Sequence, residues 1–353
     1  MNFPQRTLEV FAFESPCGRP HAGSIESNNK TKAISLALQG GGSHGAFTWG
    51  VLDRLLEDPR IVLDGVSGAS AGAINAVLLA DGLLQGGPQA ARAALRQFWQ
   101  GVVSAMPSAP AETLLSLARF LAPNQLNPFN LNPLREILSR QIDFEALRTR
   151  SPVRLFISAT DVSSGMARIF GTREITLQTL LASTCLPSFN QAVKIGDSVY
   201  WDGGLTANPP LRPLVYQCDA SDILIVRLQP ESRAGVPRTV EEISTRFNEI
   251  SFSSTLHSEI QGIALAKREA ERRSFAFGRL ERRLRRLNLH AIGPSASVAL
   301  MDVASRLKTD ARLLELLHSE GRAQANAWLA AHFDHIGVRS TLPLGRHLRL
   351  APA

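Results

Sequence analysis

Ala33-Ile34-Ser35-Leu36-Ala37-Leu38-Gln39-Gly40-Gly41-Gly42-Ser43-His44-Gly45 opens a passage that closes at Gly68-Ala69-Ser70-Ala71-Gly72. Residues 33–38 are an apolar run of strand length that ends at a glycine run. Residues 45–57 then set Phe47, Val51, Leu52 and Leu55 at helical spacing. A second strand is predicted over 61–67, ending at the turn that carries Ser70, and a helix of small residues over 71–84. Strand, helix, strand, helix in that order implies a parallel sheet joined by a right-handed crossover.

Outward from this passage the rhythm changes. Residues 86–150 are rich in Leu, Phe, Pro and Asn and read as helices and loops inserted beside a site. Within them, 114–131 reads equally as the mouth of an acyl channel or as a core helix. Strands are predicted at 154–160, 167–170, 193–200 and 223–228, and a short helix at 176–183. A long helical stretch follows over about 239–285, then a strand at 287–292 and helices to about 336. The element order predicts an α/β fold, a three-layer α/β/α sandwich with a mainly parallel central sheet. Three parts are expected: a loose arm over 1–31, a core over 32–230, and a mostly helical part over 231–353 packed on or extending that core.

Composition bounds the class. The chain has 353 residues, 44% hydrophobic and 20% charged, enough apolar material for a full core without metal or disulfide staples. Cys17, Cys185 and Cys218 have neither disulfide-framework nor metal-type spacing. Arg6, Glu9 and Glu14 interrupt any signal-like apolar region, and no apolar run approaches the roughly 20 residues that cross a bilayer. A cytoplasmic protein is expected, with peripheral membrane contact left open. The formal net charge of +7 is uneven: residues 267–288 hold nine Lys/Arg against three Glu. Such a patch suits an anionic membrane, or is simply a solvated helix face. The near-neutral remainder argues against a nucleic-acid binder.

A G-x-S-x-G turn between strand and helix strains its serine outward, and only small flanks let the two elements pass. Gly68, Ala69, Ala71 and Gly72 supply those flanks for Ser70. The run from Gly40 to Gly45 lacks the form of a phosphate loop; after a strand and close to such a serine, it reads as an oxyanion hole. The base is less plain. His257, His290, His318, His332, His335 and His347 lie downstream, none at a clear strand end. Asp202-Gly203-Gly204 follows a predicted strand, where either a displayed carboxylate or an ordinary turn Asp fits.

These motifs, with Ala182-Ser183-Thr184-Cys185-Leu186-Pro187, resemble the patatin-like phospholipase family in kind and order over residues 33 to about 230. The resemblance implies a Ser–Asp dyad without histidine, Ser70 as nucleophile and Asp202 as base. It also implies hydrolysis of lipid acyl esters through an acyl-enzyme, with no metal cofactor. Gly40, Gly45, Gly68, Gly72, Gly203 and Gly204 are then supporting motif positions, and Ser183 and Pro187 shape the site floor. In one departure, His44 stands where the family commonly has Arg or Lys. The backbone donors of Gly41, Gly42 and Ser43 are untouched by it, so His44 reads as a loop residue without a proton-transfer role. A Ser–Asp–His esterase and a non-catalytic lipid- or partner-binding protein of the same fold are the alternatives.

Overall fold

In the computed structural model, residues 31–105, 121–230, 235–272, 278–299, 301 and 304–347 are described. The expected arm (but for Thr31), Cys17, residues 114–120 of the proposed channel mouth and residues 273–277 of the basic segment lie outside them. The strands are β1 (Lys32–Leu38), β2 (Ile61–Gly68), β3 (Arg154–Asp161), β4 (Ala167–Gly171), β5 (Val193–Ile195), β6 (Ser198–Asp202), β7 (Asp222–Val226) and β8 (Asn288–Ile292). The principal helices are α1 (Gly45–Leu55), α2 (Ala71–Ala105), α3 (Pro133–Gln141), α4 (Phe144–Arg150), α5 (Leu177–Ser183), α6 (Arg212–Gln217), α7 (Val240–Arg272), α8 (Arg279–Arg286) and α9 (Ala311–His332).

All eight strands form one sheet. β1 lies between β2 and β7, β8 extends it beyond β7, and β2 pairs with β3; these four pairings are parallel. β3 also pairs antiparallel with β4 and β6, and β5 with β6. Alternation along the strands builds two cores. Ile34, Leu36, Leu38, Leu224 and Val226 pack with α1, α2 and α9 on one side. Ala37, Ile223, Ile225 and Leu289 pack with α6, α7 and α8 on the other. Successive side chains of a strand leave opposite faces, so fully buried strands with helices on both sides are the expected result.

The ladder on β3 positions the site. Ile157 pairs with Gly68 of β2 and Phe170 of β4, while Ala159 pairs with Arg168 of β4 and Asp202 of β6. A strand has two edges, and β4 holds one throughout. β6 therefore takes over the other edge where β2 leaves it. Asp202 sits opposite a residue two places beyond the partner of Gly68, about 7 Å along the strand. That is where the chain turns out of β2 into Ser70.

Several expected elements differ. The predicted strand over 193–200 is a hairpin, turned at Gly196 (φ +61°), and its second strand runs through Asp202 instead of stopping before it. The helix expected to end at 84 kinks at Gly86 and Gly87 and continues to Ala105. The long stretch over 239–285 is two helices, α7 and α8. No helix is long and apolar enough to cross a membrane among the described residues. In the basic segment, Arg283 donates to the carbonyls of Val215, Leu214, Asp219 and Ala220, and Lys267 to those of Leu284 and Arg285. Those cations hold α8 in place instead of lying free on a surface.

Candidate active site

Ser70 leaves β2 with φ +53°, a left-handed conformation that non-glycine residues seldom adopt. The turn is held from both sides. Ser70 N donates to Ser183 Oγ at 3.0 Å, at the end of α5. Behind it, a Cβ on Gly72 would lie 2.1 Å from the Leu38 carbonyl oxygen, so only glycine lets the start of α2 pass β1. Ser70 is thus at the N-terminus of a helix, where backbone dipoles favour negative charge.

The glycine loop packs directly on this turn: a Cβ on Gly40 would be 2.7 Å from Ser70 Cβ. Gly40 N donates to Asn208 Oδ1 at 2.7 Å, and Asn208 Nδ2 donates to the Phe252 carbonyl at 2.9 Å. Gln39 Oε1 accepts from Leu228 N at 2.7 Å, fastening the loop to the end of β7. Gly41 and Gly42 line the cavity beside Ser70. Among the described residues, the N–H groups of Gly41, Gly42 and Ser43 donate to no acceptor. His44 is buried, with Nε2 2.7 Å from Ser305 Oγ, and does not line the cavity.

Asp202 ends β6 and is fully buried. Its Oδ1 accepts from Gly204 N at 2.7 Å, and Thr160 Oγ1 donates to its carbonyl at 2.7 Å. Gly203 is pressed against Ser158, where a Cβ would lie 2.1 Å from the carbonyl oxygen. Burial is the largest influence on the Asp202 carboxyl and lifts its pKa to about 6, against the opposing effects of the Ser70 hydroxyl and the Gly204 N–H. Its Oδ2 is buried with no well-aligned partner among the described residues, although the Ser70 hydroxyl is near enough to favour the carboxylate. Burial and the neighbouring Asp202 charge push the Cys185 thiol up to about 12, so it stays protonated.

The cavity at Ser70 encloses about 340 Å³. Its floor is the loop Leu186, Pro187, Ser188 and Phe189, and one wall is Ser244, Asn248 and Phe252 of α7. Among the described residues of the lining Arg306 is the charged one, contributed by a segment whose backbone lies against Gly42. No histidine lines it among the described residues. His290 is buried three strands away, bonded to Asp222 Oδ1 and Thr341 Oγ1 at 2.9 Å each. His318 lies between Trp49 and Asp53. Ser70, Asp202 and the glycine loop are brought together, and none of the downstream histidines is among the described residues that line the cavity. Asn208, Gln39, Thr160 and Arg306 were missed from sequence. Only Asn208 had a signal, as the Asn-Pro pair shortly after Asp202-Gly203-Gly204.

A family model described as patatin-like phospholipase matches residues 36–215. No curated protein matches the chain. Among solved structures, VipD from Legionella pneumophila is similar at 15% identity, covering 86% of this chain and 67% of that one, with a TM-score of 0.44. The heterodimeric ExoU–SpcU complex from the type III secretion system of Pseudomonas aeruginosa is similar at 17% identity, covering 90% and 75%, with a TM-score of 0.28.

Proposed function

The chain belongs to the patatin-like phospholipase family, and from that premise and the site geometry we propose that it is a serine lipid acyl hydrolase. Ser70 is the nucleophile, Asp202 its base, and the N–H groups of Gly41, Gly42 and Ser43 the oxyanion hole. The observation that carries this reading is a fully buried carboxylate beside a strained serine, with no histidine among the described residues that line the cavity at that serine.

Serine needs a neighbouring base to become a useful nucleophile. An ordinary carboxylate is too weak for the task, and burial narrows that gap by raising Asp202 to about 6. Its open Oδ2 is positioned to take the Ser70 proton; a loosely aligned pair at rest is common in enzymes awaiting substrate. Ser70 Oγ attacks the ester carbonyl as Asp202 accepts the proton. The loop N–H groups and the α2 N-terminus stabilise the oxyanion. Asp202 returns the proton to the departing alcohol, leaving an acyl-enzyme. Water, deprotonated by Asp202, then attacks the acyl carbonyl; Ser70 is reprotonated and the fatty acid leaves.

The apolar floor of Leu186, Pro187 and Phe189 suits an acyl chain, which favours phospholipids or related lipids. Product analysis on a mixed lipid panel tests this. Fatty acid release by wild type, lost in Ser70→Ala and Asp202→Asn, supports it; no release from any acyl ester by folded protein overturns it.

A further inference from the structure

One half of α7 lines the cavity with Ser244, Asn248 and Phe252. The neighbouring face of the same turns carries Val240, Ile243, Phe247 and Ile250 at helical spacing, and all four are exposed, Phe247 at 70%. A surface helix ordinarily turns such a stripe inward. Here the inward face instead holds Glu249, only 2% exposed, paired with Arg246. A second segment repeats the pattern. Gln191, just past the cavity-lining loop, donates to the Asn127 carbonyl at 3.2 Å, and Asn127 closes a tight turn onto Leu131. That turn exposes Phe129 at 83% and Leu131 at 70%. Six large apolar side chains from two separate segments thus stand in water, each segment joined to the wall or floor of one cavity.

We propose that α7 docks on a phospholipid bilayer, lying in the interface with Val240, Ile243, Phe247 and Ile250 inserted, and that the turn carrying Phe129 and Leu131 is a second insertion point. The proposal rests on the lipid-hydrolase reading for its purpose, though not for its test. Continuity with the cavity favours a lipid surface over a protein partner: a docked bilayer presents an acyl ester to Ser70 without drawing it through water. Charge agrees. The carboxylates described on this stretch are turned to other tasks: Glu242 accepts from Arg238 N and Thr239 N at the helix start, and Glu249 is buried. The α7 stripe is a run of exposed apolar side chains at helical spacing, and amphipathic helices bind membranes in proportion to the apolar area they bury. The basic helix α8 is the competing anchor; its Arg283 is committed to backbone carbonyls.

The full chain is sedimented with phosphatidylcholine vesicles, with and without phosphatidylserine, at low and high salt. Turnover of a soluble short-chain ester is measured in parallel. Variants are the pair Ile243→Ser with Phe247→Ser and the triple Arg279→Gln, Arg282→Gln, Arg286→Gln. The apolar pair is expected to lose roughly 100-fold in vesicle partition, about tenfold for each buried side chain, while its soluble-ester rate stays at wild type. Wild-type binding should persist at high salt and survive the triple change. Unchanged partition by the apolar pair overturns the proposal, as does binding abolished by salt or by the triple change. A self-association of the wild type that the apolar pair abolishes also overturns it, assigning the stripe to a second copy. Should wild type bind vesicles through the stripe yet hydrolyse nothing, docking stands and the hydrolase reading falls.

Discussion

At the scale of the residue, Asp202 carries opposing demands. Burial lifts its pKa from 3.8 to about 6, so the folded protein holds this proton more tightly than the unfolded chain does. Its contribution to stability is present below about pH 4 and is lost as pH rises towards 6. At neutral pH the buried charge costs up to about 3 kcal/mol. Asp202→Asn should therefore raise the denaturant midpoint at pH 7 by a like amount of free energy, while ester turnover falls roughly 10³-fold; a midpoint that drops would contradict this. Ser183→Ala tests a positioning role. It leaves Ser70 N without its 3.0 Å acceptor, and kcat should fall about tenfold with KM little changed.

At the scale of the element, the glycines divide by what surrounds them. Gly72→Ala forces a Cβ to 2.1 Å from the Leu38 carbonyl, and should destabilise by about 3 kcal/mol or more in denaturant unfolding. Gly262, in the middle of α7, has nothing within 4 Å of its Cβ position, and Gly262→Ala should stabilise by about 0.5–1 kcal/mol. The same contrast shows what was readable. The strands, the Ser70 elbow and the loop were legible because apolar period and glycine placement are local signals. The 193–202 hairpin was not, since Gly196-Asp197 is a weak mark inside an apolar run. The helix predicted over 71–84 runs on past Gly86-Gly87-Pro88, where the chain only kinks, because proline fits the first turn of the helix that resumes.

At the scale of the whole molecule, parts distant in sequence complete the structure. Ser305 and Arg306 buttress the glycine loop from the far end of the chain. Asn208 bridges that loop to α7, and β6 reaches β3 only through the sheet register. No local pattern encodes such contacts. They decide the cavity, so the motifs were visible from sequence while its walls and its cation were not. A second long-range hub joins α1, α2 and α9. Asp53 is buried, and burial alone would raise its pKa. Hydrogen bonds from His318, Arg92 and Arg322 outweigh that and hold it well below the usual carboxylate range. The stability this supplies is full above about pH 4 and is lost as pH falls below it. Asp53→Asn should flatten the acid limb of a thermal-melt pH profile.

Covalent labelling reads directly whether Asp202 activates Ser70 without a histidine, as proposed. The rate of fluorophosphonate addition is measured by intact-mass spectrometry across pH 4.5–8, and the adduct is located by peptide mapping. A single adduct on Ser70 is expected, forming at a rate that rises through a midpoint near the Asp202 value of about 6 and falls at least 100-fold in Asp202→Asn. Folded protein that stays unlabelled, or labelling that Asp202→Asn leaves unchanged, would contradict it.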